Sequence, residues 1–219
     1  MRKNKFFTPK QMVMLALLSA IAYLMVSLIR IPVVLFLKYE PKDVIITIGG
    51  FLFGPLASFV VSLLVSLIEM VTISDTGPIG ALMNLLSTCC FACTASSIYK
   101  KKRTLLGAIL ALVMGSVFMT AAMLLWNWLI TPLYMGYPRE VVAEMLVPVF
   151  LPFNLLKAGL NTAFVLFLYK PLVTALRKTG LVESREDGSG SHLKMGASLL
   201  GILLLATCIL LLLVFQGKI

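Results

Sequence analysis

The chain has 219 residues, of which 60% are hydrophobic and only 13% are charged, and its formal net charge is +10. Soluble domains carry nearer half apolar and about a quarter charged residues, so a water-soluble fold is excluded and lipid is the solvent for most of the chain. The positive balance is first a topological signal, because lysine and arginine are retained in cytoplasmic loops; no stretch is long and polar enough to form the basic face that a nucleic acid would need.

In chain order, residues 1–10 are a basic tail. No A-x-A-like cleavage site followed by a polar mature region comes after it, so the first apolar segment is read as a retained span. That segment runs from Gln11 to Ile29. The second, Asp43–Phe53, is short and is joined to the third, Pro55–Ile73, by a tight turn at Gly54–Pro55. The fourth runs Ile79–Tyr99, the fifth Thr104–Ile130 and the sixth Val147–Leu176. A polar linker, residues 179–194, precedes a seventh segment, Met195–Phe215, long enough to cross a bilayer. The expectation is an all-α, polytopic membrane protein: a six-helix body over residues 11–178 and an additional transmembrane helix within residues 195–219.

Orientation follows from the basic residues. With the amino terminus in the cytoplasm, 13 of the 19 lysines and arginines fall inside, among them the run Lys100–Arg103, and five fall outside: Arg30, Lys38, Lys42, Arg139 and Lys218. The remaining one, Lys157, lies within the sixth segment. The outer face also collects Glu40, Asp43, Asp75, Glu140 and Glu144, so a soluble ligand is expected to be met there.

Lys157 lies roughly ten residues into its segment, about 15 Å down a hydrocarbon core about 30 Å thick. On a lipid face it would cost at least about 2.5–3.5 kcal/mol, so it is expected to face the interior with a partner. Asn154 and Asn161, three residues before and four after, share its helix face. The functional reading is the polar wall of a binding cavity; the alternative is an internal ion pair, with Glu69 as the candidate partner. Asn84 and Asn127 are single amides in apolar helices, open to interhelical bonding or ligand contact. The stretch Asp75–Asn84 (DTGPIGALMN) reads as a turn entering a helix, either a plain turn or a helix start whose backbone N–H groups, near Asp75 and Gly77, face a ligand. Two small-residue stripes, Ala16/Ala20 and Gly107/Ala111/Gly115, suit close helix approach, internally or with a partner. Cys89, Cys90, Cys93 and Cys208 all sit in apolar runs and are expected to be free buried thiols.

Catalytic signatures are missing from the sequence. It has no G-x-x-x-x-G-K-[ST] phosphate loop, no H-E-x-x-H and no G-x-S-x-G, and a single histidine, His192, cannot build a metal site alone. Neither metal nor cofactor is expected.

Three stretches, KYEPKDVIITIGGFLFGP (Lys38–Pro55), DTGPIGALMNLLST (Asp75–Thr88) and PFNLLKAGLN (Pro152–Asn161), resemble the riboflavin-specific S component of energy-coupling factor transporters. Ala16 and Ala20 match that superfamily's A-x-x-x-A motif, and the resemblance runs from about Thr8 to Lys178. It implies a six-helix protein of a bacterial cytoplasmic membrane that captures riboflavin as its transported ligand near the outer face, under a lid formed by the first loop, Ile31–Lys42. It implies that Asn154 and Lys157 contact the flavin and that Ala16 and Ala20 face a membrane coupling subunit, which works with two cytoplasmic ATPases. Candidate substrate contacts are therefore Asn154, Lys157, Asn84, Glu40, Asp75, Gly77 and Asn127. The seventh segment departs from the family pattern and is expected to be peripheral to the pocket. Apolar walls with a few amides and one cation suit a flavin, but equally thiamine or biotin. A membrane enzyme acting on lipids or isoprenoids would want paired acids, and only Glu69 approaches the bilayer interior.

Overall fold

The computed structural model describes residues 7–74, 76–178 and 191–215. Helix α1 (Pro9–Leu28) starts in a capping box: the Thr8 hydroxyl accepts from the Gln11 backbone N–H, and the Gln11 side chain accepts from that of Thr8. The chain then forms an antiparallel hairpin, β1 (Ile31–Val34) and β2 (Leu37–Tyr39), with Leu35 at its tip in a left-handed conformation, φ 51°. Helices α2 (Lys42–Phe53) and α3 (Pro55–Thr72) meet at Gly54, whose φ of 99° turns the chain. Helix α4 (Gly77–Thr88) runs through one π turn (Cys89–Cys93) into α5 (Thr94–Lys101). Helix α6 (Leu105–Met135) follows, and α7 (Arg139–Met145) joins α8 (Leu151–Lys178) through a second π turn, Leu146–Phe150. Pro148 and Pro152 explain that second turn, since each lacks an N–H and crowds the carbonyl four residues earlier. Helix α9 (Ser191–Phe215) completes the described chain.

Among the described residues five helical stretches are long and apolar enough to cross a membrane: Pro9–Leu28, Pro55–Thr72, Gly77–Lys101, Leu105–Met135 and Arg139–Tyr169. Their outward faces expose large apolar side chains such as Leu24, Leu64, Leu106 and Phe118, as a lipid-facing surface should. Helix α2 differs. It is only about 18 Å long at 1.5 Å per residue, and every residue from Lys42 to Phe51 is buried. It is the central post of the bundle, packed by α1, α3, α5 and α8. The expected six-segment body is therefore present, with α4–α5 as the fourth segment and α7–α8 as the sixth.

One apolar core joins α2, α5, α6 and α8. There Gly115 lets α6 approach the π turn: a Cβ at that position would stand 2.7 Å from the Phe91 carbonyl oxygen. Gly107 and Ala111 are buried as well, so this stripe packs internally. A second core joins α1, α2 and α3. Ala16 and Ala20, in contrast, are exposed on the opposite face of α1. The cysteines are free thiols.

Candidate functional site

The hairpin, α4, α6 and α8 line a partly open cavity of about 210 Å³. Phe36, Leu37, Met83, Met123 and Phe153 supply its apolar lining; Asn84, Ser87, Asn127, Asn154 and Lys157 supply polar groups, and Arg30, Lys38, Glu40 and Thr76 complete it. Of the residues singled out from sequence, Glu40, Asn84, Asn127, Asn154 and Lys157 converge on this space. Gly77 does not line it; its neighbour Thr76 does, because Gly77 turns away into α4 with φ 56°. Asp75 lies outside the described residues.

Helix α8 points Asn154 and Lys157 inward because they are three apart on one face. The Asn154 amide donates to the Phe150 carbonyl at 2.7 Å, and this leaves its own oxygen for the cavity. Lys157 Nζ lies 3.2 Å from Asp43 Oδ2 and donates to Ser87 Oγ at 3.2 Å. An ammonium has three donors; two partners on the protein leave one for whatever fills the cavity. The alternative reading, an internal ion pair, is met by Asp43 and not by Glu69. Asp43, in the first turn of α2, is the partner because the buried start of α2 lies beside α8.

Asp43 is shared with two further donors. Thr88 donates to Oδ1 at 2.6 Å and Asn161 to Oδ2 at 3.2 Å. Asn161, expected in the cavity wall, instead stands one turn deeper, and its oxygen accepts from Tyr39 of the hairpin at 3.2 Å. Burial and the neighbouring Asp43 charge push the Tyr39 phenol well above its ordinary value, so it stays a donor.

A second charged group closes the mouth. Arg30 donates to Glu40 Oε1 at 3.0 Å and to the Ile73 carbonyl at 2.8 Å. Lys42 bridges Glu40, at 2.8 Å, and Glu69, which also accepts from Asn84 at 3.3 Å. Both ends of the hairpin are thereby tied to α3. Burial pushes the Glu40 carboxyl up, but Lys42, with Lys157 and Arg30 beyond it, outweighs burial and holds it below its ordinary value. Asn127 lines the cavity with little left to give, since its amide donates to the Met123 carbonyl and its oxygen accepts from Thr131. At the hairpin tip Phe36 meets Tyr134 edge-on, with ring centroids 5.6 Å apart, and Phe150 at 6.3 Å.

Sequence reasoning missed Lys42, Asp43 and Ser87. Lys42 was expected outside the membrane body, yet it is only 1% exposed. The available signal was that Lys42 and Asp43 directly abut the apolar run Val44–Phe53.

Residues 10–169 match the family model described as "ECF transporter, substrate-specific component". The chain is similar to the riboflavin transporter RibU of Staphylococcus aureus, 28% identical over 186 residues that cover 81% of this chain and 97% of the relative. It is also similar to the riboflavin transporter RibU of Streptococcus thermophilus, 29% identical over 189 residues, covering 80% and 89% respectively. A solved structure described as the S component of a bacterial ECF transporter superposes with a TM-score of 0.65 at 28% identity, covering 77% of this chain and 98% of that one. This chain belongs to the substrate-specific components of the ECF transporters: it is a multi-pass membrane subunit for substrate uptake, not an enzyme.

Proposed function

We propose that the chain captures riboflavin in the cavity beneath the hairpin and hands it on within an ECF complex built from a membrane coupling subunit and two cytoplasmic ATPases. The body over residues 11–178 does the binding, with its amino terminus in the cytoplasm and the hairpin as an outer lid. The observation that carries the substrate is the pairing, on one face of α8, of a spare Lys157 donor with the free oxygen of Asn154. The pyrimidine edge of a flavin alternates carbonyl, N–H and carbonyl. Lys157 would donate to a ring carbonyl while Asn154 accepts from the ring N–H. Phe153, Met83 and Met123 offer apolar and sulfur contacts to the flat ring. Arg30, Glu40, Thr76 and Asn84, toward the mouth, suit the ribityl hydroxyls. The names of the relatives support the same substrate.

Pockets for ligands of this size run to roughly 300–1,000 Å³, whereas this cavity is about 210 Å³. A flavin therefore needs more room than the cavity holds, and the hairpin that lines it is the proposed element to give way. Ala16 and Ala20, exposed on α1, are the proposed contact for the coupling subunit. The test is a binding panel. Purified protein is titrated with riboflavin, thiamine and biotin by calorimetry. Riboflavin should bind with submicromolar affinity and the other two should not. Tight binding of thiamine or biotin with none of riboflavin would overturn the assignment.

A further inference from the structure

Helix α9 lies beyond the family match, which ends at residue 169, and none of the cavity-lining residues belongs to it. From sequence it is expected to be peripheral to the pocket; away from the pocket it is packed on α8 and β1. Leu204, Cys208 and Leu212 are spaced four apart and form one face. Cys208 is buried and the two leucines are half-buried, while Leu203, Ile209 and Leu210 on the other side are exposed. The inward face lies against α8 at Gly159, where a Cβ would stand 2.7 Å from Cys208 Sγ and 3.7 Å from Leu204 Cδ2. Gly201 faces the Ala163 carbonyl, so α9 runs antiparallel to α8, back toward the hairpin. There it packs directly on β1. Cys208, Leu204 and Leu212 share one apolar cluster with Val33, Leu37 and Tyr39 of the hairpin and with Leu156 and Leu160 of α8.

A lone two-stranded hairpin is marginal in water, so its closed position is set by what it lies against. Its base is held by directional ion pairs and its tip by Phe36. Its flank is the apolar surface to which α9 contributes, and apolar contact, being non-directional, tolerates sliding. We propose that α9 is the seat of the lid: it stabilises the closed hairpin and so sets how long the ligand stays. The retention part of this inference rests on the proposed reading of the cavity and hairpin; the seating part does not.

The test compares two full-length variants, Leu204→Ala/Leu212→Ala on the inward face and Leu203→Ala/Leu210→Ala on the outward face. Hydrogen exchange of residues 31–39 is first measured without ligand. The inward pair should exchange faster there and the outward pair should match the unaltered chain. Riboflavin release is then followed by fluorescence after dilution. Release should be roughly tenfold faster for the inward pair, because weakened contacts act mainly on off-rates, and unchanged for the outward pair. Equal hairpin exchange in both pairs and the unaltered chain overturns the seat, whatever the ligand. Altered exchange with unaltered release overturns its role in retention. If the unaltered chain holds no riboflavin, the proposed substrate fails while the exchange result still decides the seat.

Discussion

Lys42 and Lys157 are both nearly dry, at 1% and 6% exposure, and each meets a carboxylate. Their surroundings differ in a way that separates architecture from ligand capture. Lys42 is bracketed by two carboxylates, Glu40 and Glu69, and lines no part of the cavity. Lys157 has one carboxylate, which it shares with Thr88 and Asn161, plus one hydroxyl, and it faces the cavity. A buried cation enclosed by anions holds helices together. A buried cation left one donor short is set to meet something else.

The comparison breaks first at Lys42. Lys42→Met leaves Glu40 buried with Arg30 and Glu69 buried with only the Asn84 amide, and losing one partner of a buried pair costs about 3–5 kcal/mol. The variant should fail to accumulate in the membrane or lose most of its resistance to heating in detergent. Wild-type thermal survival would contradict a structural role for this lysine.

Lys157→Met should be milder toward stability, because Asp43 keeps its bonds from Thr88 and Asn161. Its main effect should fall on the ligand. A hydrogen bond to a charged group is worth about 1.5–3 kcal/mol, roughly 10- to 150-fold in Kd. Adding Asp43→Asn removes the uncompensated charge and should recover thermal survival without recovering affinity.

Smaller still is Asn127→Ala. Its amide already serves Met123 and Thr131, so riboflavin affinity should change by less than about threefold, as read in the same titration. A larger loss would place Asn127 among the direct contacts. The smallest effect on binding is expected for Ala16→Trp with Ala20→Trp, on the exposed face of α1. The isolated subunit should bind riboflavin normally while cellular uptake falls. Loss of both in parallel would mean that these alanines support the fold.

The apolar segments, and the pairing of Lys157 with Asn154, were legible because long apolar runs and helical spacing are local signals. The partner of Lys157 was not, since Asp43 lies far away in sequence and meets it only through the packing of α2 on α8. Lys42 and Asp43 read as outer-face charges from the charge distribution, yet both are buried, Lys42 against Glu40 and Glu69 and Asp43 against Lys157. The two small-residue stripes look alike in sequence. Only the packing separates Gly115, pressed on the Phe91 carbonyl, from Ala16 and Ala20, which face outward. For α9, length and hydropathy gave the expectation of a further span, but its packing on α8 at Gly159 needs the neighbouring helix to be seen.

The most direct test is the riboflavin Kd of the Asp43→Asn/Lys157→Met variant, measured by flavin fluorescence quenching beside the unaltered chain, with thermal survival recorded on the same samples. The expected result is a folded protein of near-normal thermal survival whose Kd is raised roughly 10- to 150-fold. A folded variant that binds riboflavin as tightly as the unaltered chain would contradict the assignment of Lys157 to the ligand.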